Sequence, residues 1–151
     1  ATDAMRDIVW LLDISDSSRS KLIAHIRQMT PSILGRVECE FTVDETPEQQ
    51  LDFDFRRQVL FAMKECFANA ARHANAEHVC CHIGGGARRF TFEVRDDGEG
   101  FVAEDAGGGH GLRNLRNRAE ALGGSVTIFS RPGEGTRVNF DAPVKIRSRI
   151  V

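Results

Sequence analysis

The sequence predicts an α/β protein: a two-layer sandwich in which a mixed sheet carries helices on one face. Three observations predict it. Segments with helical apolar spacing alternate with short segments of alternating polarity, so one layer of helices must bury itself on one layer of strands. The 151 residues suffice for one domain with a sizeable core. An apolar content of 41% and a charged content of 28% fit a water-soluble globular chain.

The elements follow in chain order. Residues 1–13 place Met5, Ile8, Val9 and Leu12 at helical spacing. The run "SDSS" breaks that pattern and offers helix caps. A second helix is predicted from about Ser18 to Met29, with Pro31 discouraging its continuation. "RVECEFTVD" alternates Val37, Cys39, Phe41 and Val43 as a strand does, and "ETPEQQ" is a loop. A long helix is predicted from Phe53 to Asn75. "EHVCCHI" and "RRFTFEVRDD" read as a hairpin turning at "GGGA". "GEGFVAEDAGGGHG" is a polar glycine-rich loop. "LRNLRNRAEAL" is a helix, with Gly123 and Gly124 suited to its C-terminal cap. "SVTIFS" and "TRVNFDAPV" are two further strands joined by "RPGEG", and "KIRSRIV" is a short basic tail. The expected organisation is a helical lead-in over 1–34, a domain over 35–144 and a tail over 145–151.

Charge and composition exclude several function classes. A net charge of -2 gives no general attraction to nucleic acid or to an anionic membrane. No apolar run approaches the ~20 residues of a membrane helix. The four cysteines form no CxxC pair and read as reduced thiols of a cytoplasmic protein. His78, Cys80 and His82 are spaced to share a strand face, but without a second ligand cluster they read as ordinary strand residues.

One helix face carries polar residues of a different kind. In "ECFANAARHA", at ~100° per residue, Asn69, Arg72 and His73 fall within about 80° of Glu65. Val59, Leu60, Met63, Phe67, Ala70, Ala71 and Ala74 occupy the opposite side. A solvated face would look similar. However, an asparagine inside a helix wants a partner, and the small residues beside the stripe leave room for a ligand. Glycines punctuate "DDGEG", "GGGHGL" and "GEGT", the second of them just before a helix, where free N–H groups and the helix dipole favour phosphate. There is no Walker A lysine, no GxGxxG and no HRD or DFG, so the common nucleotide motifs are absent.

In this order, over about residues 52 to 144, the stretches resemble the N, G1, G2 and final glycine boxes of one family. It is the catalytic and ATP-binding domain of histidine kinases, in the superfamily shared with gyrase and MutL. "RHA" after Asn69, "DDGEGF", "GHGLRNLRNRAEALGG" and "S.PGEGT" are similar to the NarL-type sensor kinases. The resemblance implies a Bergerat-type fold with ATP and Mg²⁺ as ligands. It implies that Asn69 and Glu65 serve the metal and that Arg72 and His73 meet the phosphates. Asp96 would bind the adenine amino group, with Gly98 and Gly100 allowing close approach. Gly109, His110, Gly111 and Leu112 would close the lid, and Thr136 would support the adenine side.

The implied function is transfer of the γ-phosphoryl group to a histidine on separate dimerisation helices, of which residues 1–13 resemble an end. A response regulator of NarL type would act downstream. Two departures stand out. Ala68 replaces a residue that is commonly polar in the family. None of His25, His73, His78, His82 and His110 is followed by an acid, as the family's phosphoacceptor is. A serine kinase of the same fold, or a non-catalytic nucleotide-binding module, is the alternative.

Overall fold

The computed structural model describes residues 3–13, 17–72, 75–102 and 110–148; for Asp3, Ala4 and His110 it describes the backbone alone. Four helices and five strands follow the order α1 (Asp3–Leu12), α2 (Arg19–Leu34), β1 (Glu38–Val43), α3 (Phe53–Arg72), β2 (His78–Gly84), β3 (Arg89–Asp96), α4 (His110–Ala121), β4 (Ser125–Ser130) and β5 (Thr136–Pro143). The strands form one sheet in the order β1-β2-β3-β5-β4. β1 runs parallel to β2 and every other pair is antiparallel, so the sheet is mixed, as expected.

Alternation along the strands decides which face the helices cover. Val79, Cys81 and Ile83 on β2, Phe90, Phe92 and Val94 on β3, and Val138, Phe140 and Ala142 on β5 are all buried. Leu60, Met63, Phe67 and Ala70 of α3 complete the same core, together with Leu22, Ile26 and Leu34 of α2 and Leu115 and Ala119 of α4. Phe92 stacks on Phe140 at 4.7 Å, and Phe55 meets Phe90 edge-on at 5.9 Å. The opposite face of the sheet carries polar and charged side chains. Three of the cysteines have thiols pushed up by burial, Cys39 to about 11 and Cys66 and Cys81 further, so these thiols resist ionisation.

Local chemistry sets the helix ends. The Ser18 hydroxyl accepts from Lys21 N at 3.2 Å and caps α2. Asp52 Oδ2 accepts from Asp54 N and Phe55 N and starts α3. After α4, Gly124 N donates to Ala119 O and Gly123 N to Glu120 O, closing the helix as the glycine pair predicts.

Two expectations need correction. α2 does not stop at Met29 but runs through Pro31 to Leu34. An interior proline costs ~3 kcal/mol, yet Leu34 is 4% exposed, and full burial of a leucine contributes roughly 1.5–3 kcal/mol. The last turn is also closed by Gly35 N donating to Pro31 O. α3 is described as far as Arg72, residues 73 and 74 lie outside the described set, and Asn75, expected in the helix, is not helical (φ +50°).

α1 docks through Asp7, Trp10 and Leu11 and not through the stripe expected from spacing. Met5, Ile8, Val9 and Leu12 are 51–67% exposed, whereas Asp7 is 4% exposed. Asp7 accepts from Lys64 Nζ at 2.5 Å and lies 2.9 Å from His25 Nε2, with Trp10 stacked on the His25 ring.

The segment after β5 is tied down over its described part. Arg147 N donates to Gln50 O, Asp52 N donates to Lys145 O, and Arg147 reaches the Ser17 hydroxyl. Among the described residues no helix is long and apolar enough to cross a membrane.

Candidate functional site

Two clusters gather most of the polar residues expected in a site. The first lies between α3 and α4. Burial of Leu60, Met63 and Phe67 against the sheet turns the other side of α3 outward, leaving Glu65 and Asn69 half-buried and Arg72 exposed. α4 begins beside this stripe. A Cβ at Gly111 would overlap Glu65 Oε1 and would lie 3.3 Å from both polar atoms of the Asn69 amide. Glycine lets the first turn of α4 lie against these two side chains without displacing them. The helix start brings free N–H groups and a positive dipole end to the same place.

Arg72 sits one turn beyond Asn69, its Nε 3.5 Å from Ala68 O. Leu112 is half-buried and packs on the core. His73 and Gly109 lie outside the described residues, as does the side chain of His110; of the lid, only 101 and 102 are described before α4.

The second cluster lies at the ends of β3, β5 and β4, where ladder register aligns Asp96 with Thr136 and Thr136 with Ser130. All three belong to the helix-covered side of their strands. Asp96 Oδ1 accepts from Gly98 N at 2.9 Å. Burial raises the Asp96 carboxyl above its usual range, and hydrogen bonds from Gly98 and Thr136 N–H groups oppose that rise. A half-buried carboxylate with spare lone pairs can accept from an amino group and would repel a carbonyl oxygen.

Gly135 has φ +73°, and a Cβ there would overlap Asp96 O, so the β4–β5 turn packs directly on the Asp96 backbone. Gly100 is held similarly close to Arg131 O.

Ser130 stands in the sequence only as the first residue of "S.PGEGT", with no role attached. Its Oγ accepts from Phe101 N at 2.9 Å and also lies within hydrogen-bond distance of Gly135 O and Thr136 Oγ1. It therefore joins the segment leaving Asp96 to the final glycine turn. A serine ending a strand carries no sequence signal for that role; only the β4–β5 register reveals it.

Asp97 also has a role apart from the site. It accepts from Glu77 N, His78 N and the His78 ring, tying the start of β2 to the end of β3. Those hydrogen bonds hold its carboxyl down to about 2. The strand histidines make ion pairs: His78 with Asp97 and Glu38, His82 with Asp44. Among the described residues no group of His, Cys, Asp and Glu could by itself cage a metal ion.

A mixed sheet with helices on one face, polar residues on the covering helix and glycine turns at the strand ends define a nucleotide-binding ATPase domain. Comparison with known proteins identifies which one. Residues 56–146 match the family described as histidine kinase-, DNA gyrase B-, and HSP90-like ATPase, and the chain belongs to that family. It is an ATP-binding catalytic domain of the kind carried by sensor histidine kinases.

Nitrate/nitrite sensor protein NarQ of Escherichia coli (strain K12) is 31% identical over 127 residues, covering 81% of this chain and 22% of that protein. Signal transduction histidine-protein kinase/phosphatase DegS of Brevibacillus brevis is 31% identical over 160 residues, covering 95% of this chain and 42% of that protein. The chain thus spans less than half the length of these relatives. Among solved structures, the mycobacterial sensor histidine kinase MprB superposes with a TM-score of 0.63 at 17% identity, over 85% of this chain and 96% of that one. The Erythrobacter litoralis EL346 blue-light activated histidine kinase gives 0.63 at 20% identity, over 81% of this chain and 40% of that one. At these identities the likeness concerns the fold.

Proposed function

We propose that the domain holds Mg-ATP between its two clusters and delivers the γ-phosphoryl group to a histidine presented by separate dimerisation helices. The approach of Gly111 to Glu65 and Asn69 carries this reading, because it joins the start of α4 to the polar stripe of α3. The alignment of Asp96 with Thr136 and Ser130 supports an adenine end.

The residues fit a magnesium ion. The Asn69 amide and the Glu65 carboxylate offer hard oxygen donors, and Mg²⁺ keeps several waters and needs few protein ligands. When bound, Mg²⁺ neutralises charge on the phosphates. The chain's own groups do the positioning, which dominates phosphoryl transfer. Asp96 accepts from the adenine amino group and disfavours guanine. Gly98 and Gly100 let the backbone lie against the base, and Thr136 supports its edge. Arg72 meets the phosphates, with His73 beside it. Gly109, His110, Gly111 and Leu112 bring the lid and the α4 N-terminus over them.

The acceptor is expected on another segment. No histidine in this chain precedes an acid, and His25 is already engaged by Asp7 and Trp10. A NarL-type response regulator is the downstream partner, and the cytoplasm the compartment.

Calorimetry with Mg-ATP and Mg-GTP tests the binding, and equal affinities would remove the role of Asp96. Radiolabelled ATP tests the transfer: a dimerisation segment supplied separately should become labelled while this chain does not.

A further inference from the structure

The sheet's open face carries a row of side chains to which nucleotide binding gives no role. Ladder register aligns Cys80 with Arg95, Arg95 with Arg137, and Arg137 with Phe129, so one outward row crosses β2, β3, β5 and β4. Two arginines stand directly opposite each other in an antiparallel pair, where like charges destabilise. Phe129 is 49% exposed, and the Arg137 guanidinium lies 4.6 Å from its ring centroid. Arg131, just past β4, joins these residues along an open groove of about 500 Å³.

The other basic side chains on the outward faces of β2 and β3 each lie beside a carboxylate. His78 meets Asp97 and Glu38, His82 meets Asp44, and Arg89 meets Asp141 at 2.6 Å. Among the described residues, Arg95, Arg131 and Arg137 have no carboxylate partner. Glu134 lines the same groove without pairing to them. The Nε of Arg137 is buried and has no hydrogen-bond partner. Each such atom costs stability unless something completes it.

We propose that this row is a docking surface for an acidic segment of a protein partner. Charge complementarity identifies the occupant. Arg95 and Arg137 offer planar donors suited to two carboxylates roughly 5 Å apart, the spacing of paired strands. Phe129 offers an apolar seat beside them, which a free anion would not need. By strand alternation the side chains of the row face away from those of Asp96, Thr136 and Ser130, and the groove they line borders the adenine end at Ser130, Gly135 and Thr136.

The test uses the whole chain and a glutamate-rich heptapeptide with one leucine. Nuclear magnetic resonance should show shifts at the Arg95 and Arg137 Nε–H and the Phe129 ring, weakening as salt rises. Arg95→Gln with Arg137→Gln should weaken binding about tenfold or more, and Phe129→Ala severalfold, while Mg-ATP affinity stays within about twofold of wild type. Retained Mg-ATP binding shows that the variants are folded and separates this surface from the nucleotide site.

Arg95→Gln alone should also raise the melting temperature at low salt, because it removes an opposed like charge. Several results would overturn the proposal: no binding of the peptide, equal binding of a lysine-rich heptapeptide, unchanged binding by the double variant, the same shifts from inorganic phosphate alone, or a lowered melting temperature in Arg95→Gln.

Discussion

Gly111 at the start of α4 stands so close to Glu65 on α3 that a Cβ there would displace the Glu65 carboxylate. Gly111→Ala therefore separates folding from binding. Alanine favours a helix over glycine by up to ~1 kcal/mol, and the overlapped Glu65 oxygen ends a flexible side chain that can move. The melting temperature should hold or rise, while Mg-ATP affinity falls about tenfold or more. Thermal melting and calorimetry on one variant check both halves.

Asp96→Asn should weaken ATP binding by roughly 1.5–3 kcal/mol, because a charged acceptor becomes a neutral one. Burial raises the Asp96 carboxyl in the empty domain, so its protonation begins above the ordinary aspartate range on acidification. Protonation removes a lone pair the adenine needs, so ATP affinity should fall with pH in that range. The Asp96→Asn variant should lack this component of the pH profile.

Asp97 and His78 make a different pH prediction. The Asp97 carboxyl is held down to about 2. Its contribution to stability is present above the unfolded value near 3.9 and is lost as pH falls toward about 2. His78 is raised by the same hydrogen bond. Its contribution is full below its unfolded value near 6.5 and is lost as pH rises through the raised value. Melting temperature should therefore gain from this pair between roughly pH 4 and 6.5. Asp97→Asn should remove that gain without abolishing ATP binding.

Much of the fold was legible because its elements obey simple periods. The α3 stripe, the β2–β3 hairpin and the Gly123–Gly124 cap each followed from local pattern and appear in the structure. What escaped depended on distant partners. Pro31 remains helical where the last turn also buries Leu34, and local pattern does not show that burial. The apolar residues of α1 have helical spacing, but spacing does not say which side docks. Asp7, bound to Lys64 and His25, docks that helix together with the buried Leu11. In the candidate site, Asp96, Gly98, Gly111 and Thr136 were named through the resemblance of "DDGEG", "GHGL" and "GEGT" to the family's boxes; each glycine stretch alone reads as a turn or loop. Ser130 and the Arg95–Arg137 opposition exist only through strand register.

The central claim is that the polar stripe of α3 serves the nucleotide and its apolar side serves the fold. Asn69 is half-buried beside Gly111, and Phe67 is fully buried. Melting temperature without ligand and Mg-ATP affinity should be measured for Asn69→Ala and Phe67→Ala. Asn69→Ala should change stability by no more than ~0.5 kcal/mol and abolish Mg²⁺-dependent binding. Phe67→Ala should cost roughly 3–5 kcal/mol by opening a cavity, with the folded fraction still binding nucleotide. An Asn69→Ala variant that melts early yet binds Mg-ATP normally would contradict the account.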